Sequence, residues 1–224
     1  MRMAARRREA SATGAAGEFA GKRKHWMTWH PGVEVELDSD RSIHNAVVSF
    51  DNEPLILVDE LDREIGYLPK AEAHLGAGRL HRAFSLFVFD ERGRLLMQRR
   101  AATKRLWPDY WSNTCCSHPR RGEDINSAVH RRLHEELRLS CTLEFLFKFQ
   151  YQAQFDSAGA ENELCWVYSG CSNAVPDFNE SEISDVRYIE PAELDMEMKR
   201  HPRDFTPWFK LEWARIRRGI ARSA

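Results

Sequence analysis

Two carboxylates stand one residue apart in Glu161-Asn162-Glu163, and three histidines, His74, His81 and His118, occur in mainly polar surroundings. On an extended strand, alternation puts both carboxylates on one face, with Cα atoms about 7 Å apart. Two anions aimed at one point repel unless a cation lies between them. Imidazole nitrogens with carboxylate oxygens suit zinc, manganese, iron or magnesium, so the donor types single out no metal. A lone histidine is an ordinary hydrogen-bonded residue; a metal site needs all five side chains to converge.

A second group is Asn113-Thr114-Cys115-Cys116-Ser117-His118-Pro119. Buried cysteine is usually inert packing, whereas a cysteine just ahead of a basic loop can offer a thiolate. Cys116 is the stronger of the adjacent pair, and spacing alone leaves the register between them open. The loop runs on to Gly122 and Glu123, then to Arg131 and Glu135-Glu136. Carboxylates gathered on a loop–helix unit suit a hard divalent cation bound to a diphosphate. The pairs Arg131/Glu135 and Arg132/Glu136 are also spaced as simple helix-surface salt bridges, worth a few tenths of a kcal/mol each. Basic residues recur at Arg99, Arg100, Lys104, Arg105, Arg120, Arg121 and Arg132. They read either as a diphosphate clamp, since Arg binds phosphate oxygens bidentately, or as a solvated surface run.

The elements that must carry these residues show in the hydrophobic pattern. Leu55–Val58 and Ile65–Leu68 flank a polar turn, and Ala83–Phe89 and Leu95–Gln98 flank Asp90-Glu91-Arg92-Gly93, which predicts two hairpins. Ile125, Val129, Leu133 and Leu137 recur every four residues, the mark of an amphipathic helix. Phe145–Phe155 alternates and Leu164–Tyr168 is apolar, so strands return. Pro191 opens a helix and Trp208–Ile220 forms a terminal one. Strands and helices in this order predict an α/β (α+β) fold, a mixed sheet covered by helices.

The chain has 224 residues, 42% of them hydrophobic, enough for one domain with a buried core. Residues 1–24 are rich in Ala, Gly and Arg and predict a flexible extension over 1–50, ahead of a domain at 51–224. An Arg-rich start also resembles a transit peptide, although Glu9 and Glu18 interrupt it. The net charge of −1 gives no reason to expect nucleic acid as a partner. No apolar run is long enough for a membrane span, and the expected location is the cytoplasm. Five cysteines, two of them adjacent, make reduced thiols the simpler reading than a disulfide framework.

The stretch from Ser117 to Leu139 resembles the Nudix box through Glu123, Arg131, Leu133, Glu135, Glu136 and Leu139. Ser117 and Arg138 stand where that pattern has Gly, and Arg132 stands where it has Glu. Further segments resemble the type I isopentenyl-diphosphate isomerases: Arg79–Ser85, Arg99-Arg100-Ala101, Trp107-Pro108, Trp111, Asn113–Pro119, Arg131-Arg132, Glu161-Asn162-Glu163 and Thr206-Pro207-Trp208. They follow the family's order from about Leu55 to Trp213. The resemblance implies a Nudix-type mixed β-sheet sandwiched between helices. It also implies interconversion of isopentenyl and dimethylallyl diphosphate by paired proton transfers, without flavin. Carried over by motif, His74, His81, His118, Glu161 and Glu163 hold a divalent metal (Mn, Mg or Zn). Glu136 helps hold Mg against the diphosphate. Lys70, Arg100, Lys104 and Arg132 bind the diphosphate. Cys116 and Glu163 are the acid–base pair, with Tyr151 relaying a proton and Trp208 or Trp111 facing the developing cation. A small-molecule diphosphate is then the partner, and the chain a monomer or weak homodimer. Two rivals remain at this point: a Nudix pyrophosphohydrolase, and a non-catalytic domain stabilised by a metal.

Overall fold

The structure is a computed structural model that describes residues 53–223. The extension expected over 1–50 lies outside the described residues. In chain order the elements begin with β1 (Pro54–Val58), β2 (Glu64–Pro69), α1 (Lys70–Ala73), β3 (His81–Phe89), β4 (Leu95–Arg100), β5 (Trp111–Ser112) and β6 (Cys115–Ser117). They continue with α2 (Ile125–Leu137), β7 (Leu143–Phe155), β8 (Gly159–Cys171), β9 (Ile183–Ile189), α3 (Pro191–Arg200) and α4 (Pro207–Ser223). No helix among the described residues is long and apolar enough to cross a membrane.

Strand β3 is the hub, and its composition explains why. It is apolar on both faces, as a strand covered from both sides must be. Phe84, Leu86 and Val88 pack with Ala128, Val129, Leu133 and Leu137 of α2. Ala83 and Phe87 pack on the other face, with Phe209, Trp213 and Ile216 of α4 and Leu194 of α3. The mixed sheet is thus sandwiched between helices. β3 runs parallel to β8, from His81↔Glu163 to Phe89↔Cys171, and antiparallel to β6. β7 continues the sheet beyond β8, while β1 and β2 form the first expected hairpin.

The second expected hairpin is only half realised. Its turn closes, with Asp90 N donating to Arg94 O at 2.9 Å, but Phe89↔Leu95 is the single cross-strand pair between β3 and β4. The strands diverge because β6 and β8 pair with β3, and β4 pairs instead with β5 and β9. Strands β5, β6 and β9 were not legible in the periodicity.

Helix α2 matches its predicted span. Asp124 caps it, accepting from Asn126 N at 3.0 Å and Ser127 N at 3.2 Å. At the other end Arg138 adopts φ 55°, the left-handed cap that a Gly enters without steric conflict. Here the departure from the Nudix pattern carries a backbone strain of about 1 kcal/mol. Arg138→Gly should therefore raise unfolding stability by about that amount in a urea titration; a loss would show that the Arg side chain contributes more than the strain removes.

The face under α4 also encloses Glu212, which is 0% exposed. Its Oε1 lies 3.5 Å from Cys165 Sγ, and its Oε2 has no hydrogen-bond partner among the described residues. Burial pushes this carboxyl up to about 8, against the opposing hydrogen bonds of Ser85 and Cys165. The folded chain thus keeps a proton that the unfolded chain, with a Glu value of about 4.3, has released. Stability attributable to this group is fully present below that value and is lost as pH rises to about 8. Glu212→Gln lacks the ionisation, so its stability relative to wild type should climb from pH 5 to pH 8 by about 1 kcal/mol per pH unit and then level off. An offset independent of pH would contradict a protonated Glu212.

Candidate active site

The parallel register of β3 and β8 creates the centre of the site. It sets His81 opposite Glu163, and Glu161 lies two residues back on the same strand face. His74 follows α1 and His118 follows β6, so four separate segments deliver the donors. One donor atom from each of His74, His81, His118 and Glu161 lies within 4.8 Å of the others. Glu163 completes the set, its Oε1 3.2 Å from His118 Nε2 and 3.7 Å from His81 Nε2. All five predicted metal ligands are brought together.

The local chemistry fits a cation. His74 Nε2 and Glu161 Oε2 approach to 2.8 Å, yet each is buried without a hydrogen-bond partner. Orphaned buried polar atoms are uncommon and call for an ion or a water. Imidazole and carboxylate donors suit a divalent metal. His81 Nδ1 lies 2.8 Å from Arg79 O, the kind of outer contact that fixes a ligating ring. Burial, His81 and Lys70 hold His118 well below the usual imidazole range, so it is neutral and has a lone pair to give. Burial pushes the Glu161 and Glu163 carboxyls up, but the histidines outweigh it and leave both lowered.

Gly159 makes room for this arrangement. At φ 140° it lets β8 pass against His74, where a Cβ would fall 2.3 Å from the His74 carbonyl oxygen. Ala160 N donates to that same carbonyl at 2.9 Å. Only Gly allows the ligand and the strand to approach so closely.

The pairing of β6 resolves the cysteine register. Ser85↔Cys116 and Leu86↔Cys115 are cross-strand partners, and neighbouring residues on a strand face opposite ways. Cys115 joins the core under α2, while Cys116 lines the cavity that His74, His118 and Glu163 also line. Of the two readings left open for Cys116, its surroundings do not favour the thiolate. Burial pushes the Cys116 thiol up to about 12; Arg100 opposes this, and Glu136 and Glu163 add to it. The basic loop does not help, because Arg120 pairs with Glu53 at 2.7 Å and Arg121 lies over the Tyr67 ring. Cys116 therefore keeps its proton as a neutral thiol. Across the site Tyr151 donates its hydroxyl to Glu163 Oε2 at 2.7 Å.

The cavity is about 420 Å³, and Lys70, Arg100, Lys104, Arg132 and Trp208 all line it, joined by Arg105. The basic cluster therefore splits: Arg99, Arg120 and Arg121 of the sequence-level group do not line this cavity. Arg100 donates to the carbonyls of Leu106 at 2.9 Å and Trp107 at 3.0 Å, with its guanidinium 5.3 Å from the Trp208 ring centroid. Trp111 stands apart, beneath Arg187.

Two acids shape the basic side. Arg132 and Glu136 are buried and hydrogen-bonded to each other, not a solvated surface pair. Glu136 does not line the cavity; it lies behind Arg132. Glu182, which no motif flagged, pairs with Lys104 and with Arg132 at 3.3 Å. Burial raises its carboxyl, but Lys104 and Arg132 outweigh burial and hold it at about 2. An isolated Glu before a short strand carries no sequence signal. Behind the cavity lining, Trp107 is buried and packs edge-on against Trp208, ring centroids 5.2 Å apart.

The NUDIX domain family matches residues 79–209. An "Isopentenyl-diphosphate Delta-isomerase" of Pectobacterium atrosepticum is 44% identical, over 72% of this chain and 90% of its own. An "Isopentenyl-diphosphate Delta-isomerase 1" of Photorhabdus laumondii is 42% identical over 73% of this chain and 94% of its own. Among solved structures, the DR0079 protein of Deinococcus radiodurans superposes with a TM-score of 0.57 at 26% identity, covering 66% of this chain and 90% of that one. A MutT protein of Methanosarcina mazei gives 0.53 at 13% identity, covering 63% and 95%, a likeness of fold alone. The chain belongs to the Nudix family and, within it, to the isopentenyl-diphosphate Delta-isomerases.

Proposed function

We propose that this chain interconverts isopentenyl diphosphate and dimethylallyl diphosphate, with Cys116 and Glu163 as its acid–base pair. The observation that carries the reading is one cavity holding a protonated thiol, a deprotonated carboxylate and a cluster of cations. Two groups whose environments push their proton affinities apart make an acid and a base. A hydrolase reading is weaker, because Arg132 takes the place of a Nudix carboxylate and engages Glu136.

In the forward direction Cys116 gives its proton to the terminal methylene carbon of the alkene. The positive charge falls on the tertiary carbon, and Glu163 removes a proton from the neighbouring methylene on the diphosphate side. The double bond has moved and no electrons have left the substrate, so the steps need no flavin. Tyr151, bonded to Glu163, orients the carboxylate and offers it a proton path. The Trp208 face meets the cation through its ring quadrupole. Lys70, Arg100, Lys104 and Arg132 receive the diphosphate.

His74, His81, His118, Glu161 and Glu163 would hold one divalent ion, Mn, Mg or Zn, whereas Glu136, engaged by Arg132 and outside the cavity lining, does not fit the role of holding Mg beside the diphosphate. The ion would supply fixed positive charge that keeps the carboxylates ionised. The protein acts in the cytoplasm as a monomer or weak homodimer.

Incubation of metal-loaded protein with isopentenyl diphosphate in deuterated water tests the reading. It predicts dimethylallyl diphosphate carrying deuterium in a methyl group. Release of phosphate or pyrophosphate without isomerisation would replace it with hydrolysis. Cys116→Ala and Glu163→Gln should each lower turnover by roughly 100-fold or more, the usual scale of an acid–base contribution, and Cys116→Ala should still bind the diphosphate. Near-normal turnover in Cys116→Ala would remove the thiol from the mechanism.

A further inference from the structure

Ser112 is wholly buried on β5 and touches both sides of the reaction site. Its Oγ lies 2.9 Å from Asn113 Oδ1, 3.0 Å from Thr206 Oγ1, 3.1 Å from Trp208 Nε1 and 4.0 Å from Cys116 Sγ. A hydroxyl has one hydrogen and two lone pairs. The hydrogen goes to Asn113 Oδ1, the Trp208 indole N–H takes one lone pair, and the Thr206 hydroxyl takes the other. The Cys116 sulfur is then held by contact with an oxygen whose direction three bonds have already fixed.

Those partners are themselves anchored. Asn113 Nδ2 donates to Leu86 O at 3.2 Å and to Cys115 O at 2.9 Å, tying it to β3 and β6 on either side of the cysteine register. Thr206 N donates to Trp111 O at 3.0 Å, so the start of α4, which carries Trp208, is fastened to β5. Through the single Oγ atom of Ser112, the short strand β5 hydrogen-bonds the indole and touches the thiol.

We propose that Ser112 is a positioning residue, its hydroxyl setting the Trp208 indole and the Cys116 sulfur at one fixed separation around the alkene end of the substrate. This rests on the isomerase reading above. Its consequence is specific to the chemical step. The diphosphate is gripped by Lys70, Lys104 and Arg132, none of which contacts Ser112 in the hydrogen bonds described. Loosening the hydroxyl should thus slow proton transfer and leave substrate capture in place. It should also expose the tertiary cation: water adds to that carbon, loses a proton, and leaves a primary diphosphate that carries a tertiary hydroxyl.

The test compares wild type, Ser112→Ala, Ser112→Thr and Thr206→Val for kcat, KM, melting temperature and product identity. Ser112→Ala should lose roughly 10- to 100-fold in kcat, the scale of a misplacement of about 1 Å, with KM close to wild type and the tertiary alcohol appearing. Ser112→Thr keeps the hydroxyl and should restore most of the kcat. Thr206→Val leaves Ser112 in place and should show a smaller loss, again in kcat alone. Wild-type kcat and clean product in Ser112→Ala overturn the proposal, and so does a folded Ser112→Thr as slow as the Ala variant. Should both Ser112 variants fail to fold, an unchanged kcat in Thr206→Val overturns it. A wild-type protein that does not isomerise at all strikes the isomerase reading instead.

Discussion

Two carboxylates, Glu161 and Glu163, are buried beside three imidazoles, and this confinement governs the rest of the site. Burial disfavours their charge, each repels the other, and among the described residues neither has a Lys or Arg ion pair. A divalent cation among the five donors would turn these penalties into attraction. The parallel register of β3 and β8, the glycine that lets β8 pass His74, and the loop that returns His118 all serve this convergence.

The same burial produces the contrast on which proton chemistry depends. A thiol and a carboxyl share one cavity, and burial pushes both toward their neutral forms. For Glu163 the histidines and the Tyr151 hydroxyl reverse that push; for Cys116, facing carboxylates, little does. On the basic side, burial lowers Lys70, as does neighbouring Lys104, whereas Glu182 holds Lys104 and Arg132 together. Packed cations are kept from repelling one another by buried acids, Glu182 between Lys104 and Arg132 and Glu136 against Arg132. Arg100 links the two regions, bracing the Leu106–Trp107 corner and lying against Trp208.

What the sequence revealed was local. The four-residue recurrence located Ile125–Leu137 to the residue, Pro191 marked the first residue of α3, and the Glu161/Glu163 spacing on one strand face was readable from alternation. The side chains that match a known motif could be named, and all the ligands and phosphate-binding candidates except Glu136 reach the cavity or its metal cluster. What it concealed was non-local. The β3–β8 register joins segments about 80 residues apart, and no periodicity encodes it. Strands β5 and β6, of two and three residues, are too short to show alternation. Spacing could not decide the protonation of Cys116, because proton affinity follows burial and the direction of distant side chains, not the charge of the next loop. Ser112 and Glu182 act through partners far along the chain, so neither stood out in a linear reading.

The most direct measurement is anomalous diffraction at the manganese edge from crystals of the manganese-loaded protein. The account predicts one strong peak within about 2.0–2.5 Å of nitrogen or oxygen donors from His74, His81, His118, Glu161 and Glu163. A peak elsewhere, with those five side chains closed on themselves and free of metal, would contradict it.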